Sequence, residues 1–275
     1  MPTAFFLAVL AVFGLLFGSF GNVLIWRLPR GESVVSPPSH CPACDTEIAW
    51  YDNIPVFSWA VLLRGRCRHC GVRISPRYPL VELLSGLLWL FAGVLYGQTA
   101  QAAVAIFFFY LLLILAFIDI DTFRLPNPIV GTMFVVGLAC AAASQFSGVA
   151  LSPLLETFPG RLGEPLPAAL VGAALSAGIA AVIAYAYYRV RAAQGFGMGD
   201  VKLLAAIGVF LGAWGVLAFF VGSVLGAIYG VSAARVKGVP AASLKFPLGP
   251  FLALGAVMVT AWGPVAWGWY LSLFA

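Results

Sequence analysis

Long apolar segments separated by short polar ones dominate the chain. Segments of spanning or near-spanning length cover about 5–25, 79–96, 102–118, 128–146, 166–188 and 248–270. The stretch 201–234 is too long for one span, and the sequence Gly-Ala-Trp-Gly at 212–215 divides it into a short helix to about Leu211 and a second from about Val216. Because a spanning helix needs about 20 apolar residues, the pattern predicts an all-α polytopic membrane protein with about eight transmembrane helices. Seven helices are the alternative if 201–234 is not divided.

Composition agrees with a membrane location. Of the 275 residues, 62% are hydrophobic and only 9% are charged. A soluble domain cannot bury that much apolar surface, so most of it must face lipid or other helices. The net charge of +5 is compatible with a nucleic-acid partner. The basic residues lie in the loops between apolar segments, however, so nucleic-acid binding is the weaker interpretation.

The distribution of basic residues orients the helices. The first apolar segment has no preceding positive charge and no small-residue cleavage site, and Arg27 and Arg30 follow it. We therefore expect a retained anchor with its amino end outside. With eight helices, every Lys and Arg except Arg161 then falls on the cytoplasmic side, as the positive-inside rule requires. Seven helices would move the basic group at 235–245 outside or would require a re-entrant segment, which disfavours that alternative.

Two C-x-x-C pairs lie in the one substantial polar region, about 27–77. They are Cys41 with Cys44 and Cys67 with Cys70, separated by 22 residues. Each pair can hold a metal from a tight turn, and two pairs complete a tetrahedral thiolate shell. Since the region is too short for a hydrophobic core of its own, we predict a zinc-ribbon-like insertion with a structural zinc. Two disulfides are the alternative, and a reducing cytoplasmic location argues against them.

Two aspartates lie at the edges of apolar segments: Asp119 closes 102–118, and Asp200 opens the segment after it. A carboxylate at the edge of hydrocarbon is costly, so it usually faces a polar cavity, a partner or a substrate. The predicted topology puts both at the cytoplasmic face. Two adjacent carboxylates cannot both ionise easily, so one can take a proton from water while the other polarises a carbonyl. This predicts an aspartyl peptidase, although helix capping is a simpler explanation for Asp200, and Asp121 competes with Asp119 for its role.

Six sequence elements, in order, carry a family resemblance. They are Gly18-Ser19-Phe20-Gly21-Asn22-Val23-Leu24-Ile25-Trp26-Arg27-Leu28-Pro29, the double C-x-x-C, Arg77-Tyr78-Pro79-Leu80-Val81-Glu82, Asp119 with Leu125-Pro126-Asn127, Gly197-Met198-Gly199-Asp200-Val201-Lys202, and Phe246-Pro247-Leu248-Gly249-Pro250-Phe251. Over nearly its whole length the chain resembles the type IV prepilin peptidases, the leader peptidase/N-methyltransferase family of GxGD aspartyl proteases. At the positions of Gly21 and Leu248 the family often has other residues, and neither difference affects a residue with a predicted catalytic role.

The resemblance implies two activities. The family cleaves the short basic leader of prepilins and pseudopilins after a glycine, at the cytoplasmic face of the bacterial inner membrane. Many members then methylate the new amino terminus with S-adenosylmethionine. The resemblance carries the catalytic roles onto Asp119 and Asp200, with Asp121 in reserve. Prepilins and membrane lipid are the expected partners.

The methyl-donor site is not evident, because the chain has no glycine-rich Rossmann loop. Polar residues near the loop 27–77 are candidates only, and helix capping or interfacial anchoring is the favoured role for each; they are Asn22, Arg27, Glu32 and Glu82.

We divide the chain into a first transmembrane helix (1–26), a cytoplasmic zinc-binding loop domain (27–77) and a transmembrane aspartyl peptidase domain (78–275). Two other functions compete with the peptidase. An ion- or proton-coupled transporter could use the two aspartates as a relay, but acidic groups in transporters tend to lie near the bilayer midplane. A zinc-stapled membrane scaffold without catalysis leaves the two aspartate motifs unexplained.

Overall fold

The computed structural model describes residues 2–155, 164–191, 197–240 and 244–273, except for the side chains of residues 191 and 271. Within these ranges the chain forms eight long helices and no strand. They are α1 (Thr3–Arg27), α2 (Arg77–Tyr96), α3 (Ala100–Thr122), α4 (Asn127–Ser147), α5 (Pro165–Arg191), α6 (Met198–Leu211), α7 (Trp214–Lys237) and α8 (Gly249–Ser272). The predicted all-α class is confirmed. Arg161, the basic residue expected outside, is not among the described residues.

The predicted division of 201–234 is also confirmed, because α6 ends at Leu211 and α7 begins at Trp214. Seven of the helices are long and apolar enough to cross a membrane. The exception is α6, whose 14 residues span about 21 Å at 1.5 Å per residue. That is shorter than the hydrocarbon core of a bilayer, which is about 30 Å thick. The chain is thus a multi-pass membrane protein with seven candidate spans and one shorter helix.

The chain divides into two compact units, Met1–Ala102 and Ala103–Ala275. In the first unit α1 packs directly along α2. A Cβ added at Gly14 would lie 2.8 Å from the Cα of Gly86, and one added at Gly18 would lie 2.6 Å from the Cα of Glu82. Only glycine permits helix backbones to approach so closely. The three-part division predicted from the sequence stays a prediction.

The core of the second unit lies around α6, which contacts α4, α5, α7 and α8. Nearly all of its side chains after the first turn are buried, including Leu203, Leu204 and Ile207. Phe210 stacks on Phe108 of α3 with ring centroids 4.6 Å apart. Such a helix is apolar on all sides because it is enclosed by protein.

The turn from α6 to α7 is enclosed as well. Leu211 and Trp214 on either side of it are buried, and Gly212 between them has φ of +59°. The Gly212 N–H donates to the carbonyl of Gly208 at 2.8 Å. Non-helical backbone away from water is tolerated where protein surrounds it, so the turn lets a short helix end inside the unit.

Candidate active site and metal centre

The two C-x-x-C pairs form two turns of the same geometry, which we call the first and second knuckle (residues 40–47 and 66–73). In the first, Cys41 N–H donates to the carbonyl of Thr46 at 3.0 Å. In the second, Cys67 N–H donates to the carbonyl of Val72 at 2.8 Å. An isolated antiparallel bridge joins the ends of each knuckle. The sequence spacing therefore produces two equivalent metal-holding turns.

One backbone position in each knuckle is left-handed. It is the fourth residue after the first cysteine: Asp45, with φ of 56°, and Gly71, with φ of 70°. The N–H of each donates to the carbonyl of that cysteine. Glycine adopts this conformation at no steric cost, whereas other residues rarely do. The second knuckle thus has the residue suited to the turn, and the first does not.

The four cysteines meet at one point. Their sulfur atoms all lie within 4.8 Å of one another, with 3.8 Å between Cys41 and Cys70 and 4.0 Å between Cys44 and Cys67. Tetrahedral zinc with Zn–S bonds of about 2.3 Å places sulfurs about 3.8 Å apart. The cluster has the dimensions of a four-thiolate zinc site, and among the described cysteines none forms a disulfide.

Hydrogen bonds favour the thiolate form of two of these cysteines. Those from Thr46 lower the pKa of Cys44 to about 6. The backbone N–H groups of Cys70 and His69 lower the pKa of Cys67. Since the thiolate is the metal ligand, both shifts favour metal binding by these two cysteines. The pKa of Cys70 is instead raised to about 11, because the hydrogen bond from the Val72 N–H is outweighed by desolvation and by the neighbouring cysteine sulfurs. The cluster is formed by the cysteines alone, and the nearby His40 has its Nε2 3.7 Å from Oδ1 of Asp45.

The first candidate carboxylate belongs to α3. Asp119 lies one turn before the end of that helix and is only 5% exposed. Its Oδ2 accepts a hydrogen bond of 2.9 Å from the backbone N–H of Gly249, the first residue of α8. Asp121, the competitor, is exposed to solvent. The buried carboxylate is therefore Asp119.

The second candidate carboxylate belongs to the first turn of α6. Gly197 is the N-cap of this helix and Asp200 is its third residue, so Asp200 caps the helix from within the first turn and not from the N-cap position that the capping alternative named. Its Oδ2 accepts a hydrogen bond of 3.3 Å from the Gly197 N–H. The carboxylate folds back onto the helix start, where N–H groups lack helical acceptors.

The end of α3 and the start of α6 lie side by side, which sequence reasoning could not establish. Asp119 lies close enough to Asp200 for its charge to act on the Asp200 carboxyl. A Cβ added at Gly199 would lie 3.3 Å from the Cβ of Leu125, in the loop after α3. Lys202 donates to the side-chain oxygen of Asn127 at 3.0 Å. The structure thus brings Asp119 and Asp200, the two predicted carboxylates, to neighbouring helix ends.

Sequence reasoning missed Gly249. Its element, Phe246 to Phe251, contributed to the family resemblance but received no role. The only local signal is a glycine-proline pair at the start of an apolar segment, which is typical of a helix beginning. Nothing in that signal indicates a partner on α3.

The candidate methyl-donor residues mostly bind the backbone of their own unit. Asn22 donates to the carbonyl of Tyr78 at 3.2 Å, and Arg27 donates to the carbonyl of Pro37 at 2.8 Å. Glu82 accepts a 2.7 Å hydrogen bond from the N–H of Val56. These contacts join the helix ends to the intervening loop and agree with the structural roles that were favoured. Glu32, the fourth candidate, is exposed.

Two family models match most of the chain. Residues 12–96 match the bacterial peptidase A24 N-terminal domain, and residues 106–231 match the type IV leader peptidase family. The chain is 33% identical to a prepilin leader peptidase/N-methyltransferase of Pseudomonas putida, over 96% of this chain and 93% of that protein. The chain belongs to the type IV leader peptidase family. The family match includes both Asp119 and Asp200, and the N-terminal match includes the cysteine cluster.

Other prepilin leader peptidase/N-methyltransferases are also similar to the chain. A prepilin leader peptidase/N-methyltransferase of Bacillus subtilis (strain 168) is 34% identical over 97% of this chain and 98% of that protein. One of Myxococcus xanthus (strain DK1622) is 41% identical over 82% of this chain, and the match spans 62% of that protein's length. No solved structure matches the chain.

Proposed function

We propose that the protein cleaves the leader peptide of type IV prepilins and pseudopilins after a glycine, and then N-methylates the new amino terminus using S-adenosylmethionine. The meeting of Asp119 and Asp200 carries this proposal, because a hydrolytic pair requires two interacting carboxylates. The relatives bear names that state both activities. The protein resides in the bacterial inner membrane with its amino terminus outside and this site toward the cytoplasm. The distribution of basic residues supports that orientation.

Cleavage uses the carboxylates in opposite protonation states. The ionised one takes a proton from water, whose oxygen attacks the scissile carbonyl carbon. The protonated one donates a hydrogen bond to the carbonyl oxygen. When the tetrahedral intermediate collapses, the C–N bond breaks and the leaving nitrogen takes up a proton. The products are a leader with a new carboxylate and a pilin with a free amine.

That free amine fixes the order of the two reactions, since the methyl acceptor does not exist before cleavage. S-adenosylmethionine supplies the methyl group, and the amine must lose a proton to accept it. We assign no residue to the methyl donor, because Asn22, Arg27 and Glu82 are occupied by backbone groups of their own unit.

Zinc has a structural role in this proposal. The residues that would hold it are Cys41, Cys44, Cys67 and Cys70, whose four sulfurs lie within 4.8 Å of one another. A closed four-thiolate site leaves no coordination position for water. Bound there, zinc would stabilise the loop between α1 and α2 and would take no part in hydrolysis.

The test is the intact mass of a prepilin-like substrate after incubation with the purified protein and S-adenosylmethionine. Asp119→Asn and Asp200→Asn are tested beside Asp121→Asn, a matched control two residues from the buried aspartate. We expect leader loss plus one methyl group with the wild type and with Asp121→Asn, and no cleavage with the other two variants. Cleavage that survives Asp119→Asn but not Asp121→Asn would move the role to Asp121.

An unchanged substrate with well-folded wild-type protein would refute the peptidase. A proton flux in reconstituted vesicles that is lost in Asp119→Asn would then identify a transporter. If loss of the protein impaired pilus or secretion assembly while the purified protein showed neither leader cleavage nor proton flux, the protein would be a scaffold.

A further inference from the structure

We propose that Gly249 is a positioning residue for the hydrolytic site. Its backbone N–H, at the start of α8, holds Oδ2 of Asp119 and leaves Oδ1 to serve the attacking water and Asp200. This inference rests on the proposed peptidase function. The hydrogen bond is 2.9 Å long, is buried, and joins residues 130 positions apart in the chain. It makes α8 a third helix of the site, beside α3 and α6.

The amide groups at the start of α8 leave Asp119 a single donor. The first N–H groups of a helix have no acceptor within it. Here the N–H groups of Phe251 and Leu252 both donate to the carbonyl of Leu248, and Pro250 has no N–H. The Gly249 N–H is the remaining donor of the first turn, and its acceptor is the Asp119 carboxylate.

Close approach explains why this donor belongs to a glycine. A Cβ added at Gly249 would lie 2.8 Å from Oδ2, 3.2 Å from Cγ and 3.3 Å from Cβ of Asp119. The three nearest atoms thus all belong to one side chain. The Cβ of any other residue at 249 would therefore push the Asp119 carboxylate out of place, and not some other part of the core.

The segment before Gly249 is fixed against α7. A Cβ added at Gly230 would lie 2.7 Å from a ring carbon of Phe246, and one added at Gly226 would lie 3.0 Å from a methyl carbon of Leu248. Tyr229 packs edge-on against Phe246 with centroids 5.8 Å apart. Because these contacts hold residues 246–248, the Gly249 N–H has a set position from which to orient Asp119.

The experiment compares Gly249→Ala with Gly268→Ala. Both substitutions add one methyl group to α8, but a Cβ at Gly268 meets nothing within 4 Å. Relieving the 2.8 Å contact to an ordinary 3.4 Å moves the carboxylate by about 0.6 Å. Since a misplacement of about 1 Å can cost about 100-fold, we expect Gly249→Ala to lower kcat for leader cleavage by about 10- to 100-fold. KM should change less than twofold, and methylation of a pre-cleaved pilin peptide should persist. Gly268→Ala should match the wild type in all three.

Thermal unfolding separates positioning from general damage. If Gly249→Ala lowers Tm, the loss should disappear in an Asp119→Ala background, because the clashing oxygen and carboxyl carbon are then absent. An equal loss of Tm in both backgrounds would overturn the inference, and so would wild-type kcat in Gly249→Ala. Failure of the proposed function looks different: the wild type and Gly268→Ala would then both leave the substrate uncut.

Discussion

The contact between Gly172 of α5 and Gly208 of α6 sets the position of α6, and with it Asp200. A Cβ added at Gly208 would lie 2.4 Å from the carbonyl oxygen of Gly172 and 2.5 Å from its carbonyl carbon. Ordinary van der Waals contact begins at 3.4 Å. Both obstructing atoms are backbone, so no side chain can rotate away. Gly208→Ala therefore requires α5 and α6 to separate by about 1 Å.

This separation should affect stability and catalysis together. Overpacking a well-packed interface typically lowers the free energy of unfolding by about 1–3 kcal/mol. For a domain of this size, each kcal/mol lowers Tm by about 2–4 °C. Because Asp200 lies on the same helix as Gly208, it should shift relative to Asp119. A displacement near 1 Å can lower kcat by about 100-fold.

The assay combines thermal unfolding in detergent with the rate of leader cleavage at saturating substrate. Gly178→Ala is the matched control, since it adds the same methyl group to α5 where nothing lies within 4 Å. We expect Gly178→Ala to resemble the wild type and Gly208→Ala to lose both Tm and kcat. If Gly208→Ala equals the control in both measurements, the argument that close glycine packing positions Asp200 is refuted.

Two further predictions concern the loop between α1 and α2. Asp45→Gly should slow zinc release to a chelator and Gly71→Ala should accelerate it, because a side chain at a left-handed position costs about 1 kcal/mol; equal release rates would contradict this. Arg68 donates to Asp52 at 2.8 Å and lowers the pKa of that carboxyl. A lowered pKa in the folded state adds stability above the ordinary pKa of aspartate and loses it as the pH falls. Asp52→Asn should thus make the loop more protease-sensitive than the wild type at pH 7. The difference should shrink as the pH falls below about 4, the ordinary pKa of aspartate, and disappear once the pH has passed the lowered pKa of Asp52; a difference independent of pH would oppose the ion pair.

Helix positions were predictable because hydrocarbon length and apolar composition are local properties. The break at 212–215 was placed correctly, and α6 ends at Leu211 as expected. The end of α3 was placed too early, at 118, whereas the helix continues to Thr122. Hydropathy ends at the first charged residue, but helical hydrogen bonding does not: the Phe123 N–H still donates to the carbonyl of Asp119 at 2.9 Å.

The lateral arrangement of the site was beyond the reach of the sequence. Apolar patterns report depth and length, but they do not say which helix ends are neighbours. The partner of Asp119 is an amide 130 residues away, and a backbone group leaves no side-chain signature. The capping alternative named the N-cap position for Asp200, because a short polar residue before an apolar segment suggests an N-cap, whereas Gly197 is the N-cap and Asp200 caps from the third position.

Both carboxylates solve the same physical problem in the same way. The first amides of a helix have no helical acceptor and carry partial positive charge, and a carboxylate away from water needs donors. Asp200 satisfies the start of its own helix, α6, and Asp119 satisfies the start of α8. Each pairing gives a helix-start N–H its acceptor and a carboxylate its donor, so the second unit can hold two acidic groups beside an apolar core. It also ties the geometry of the pair to three helix ends, so that packing changes at α5, α6 or α8 should act on the chemistry before they abolish the fold.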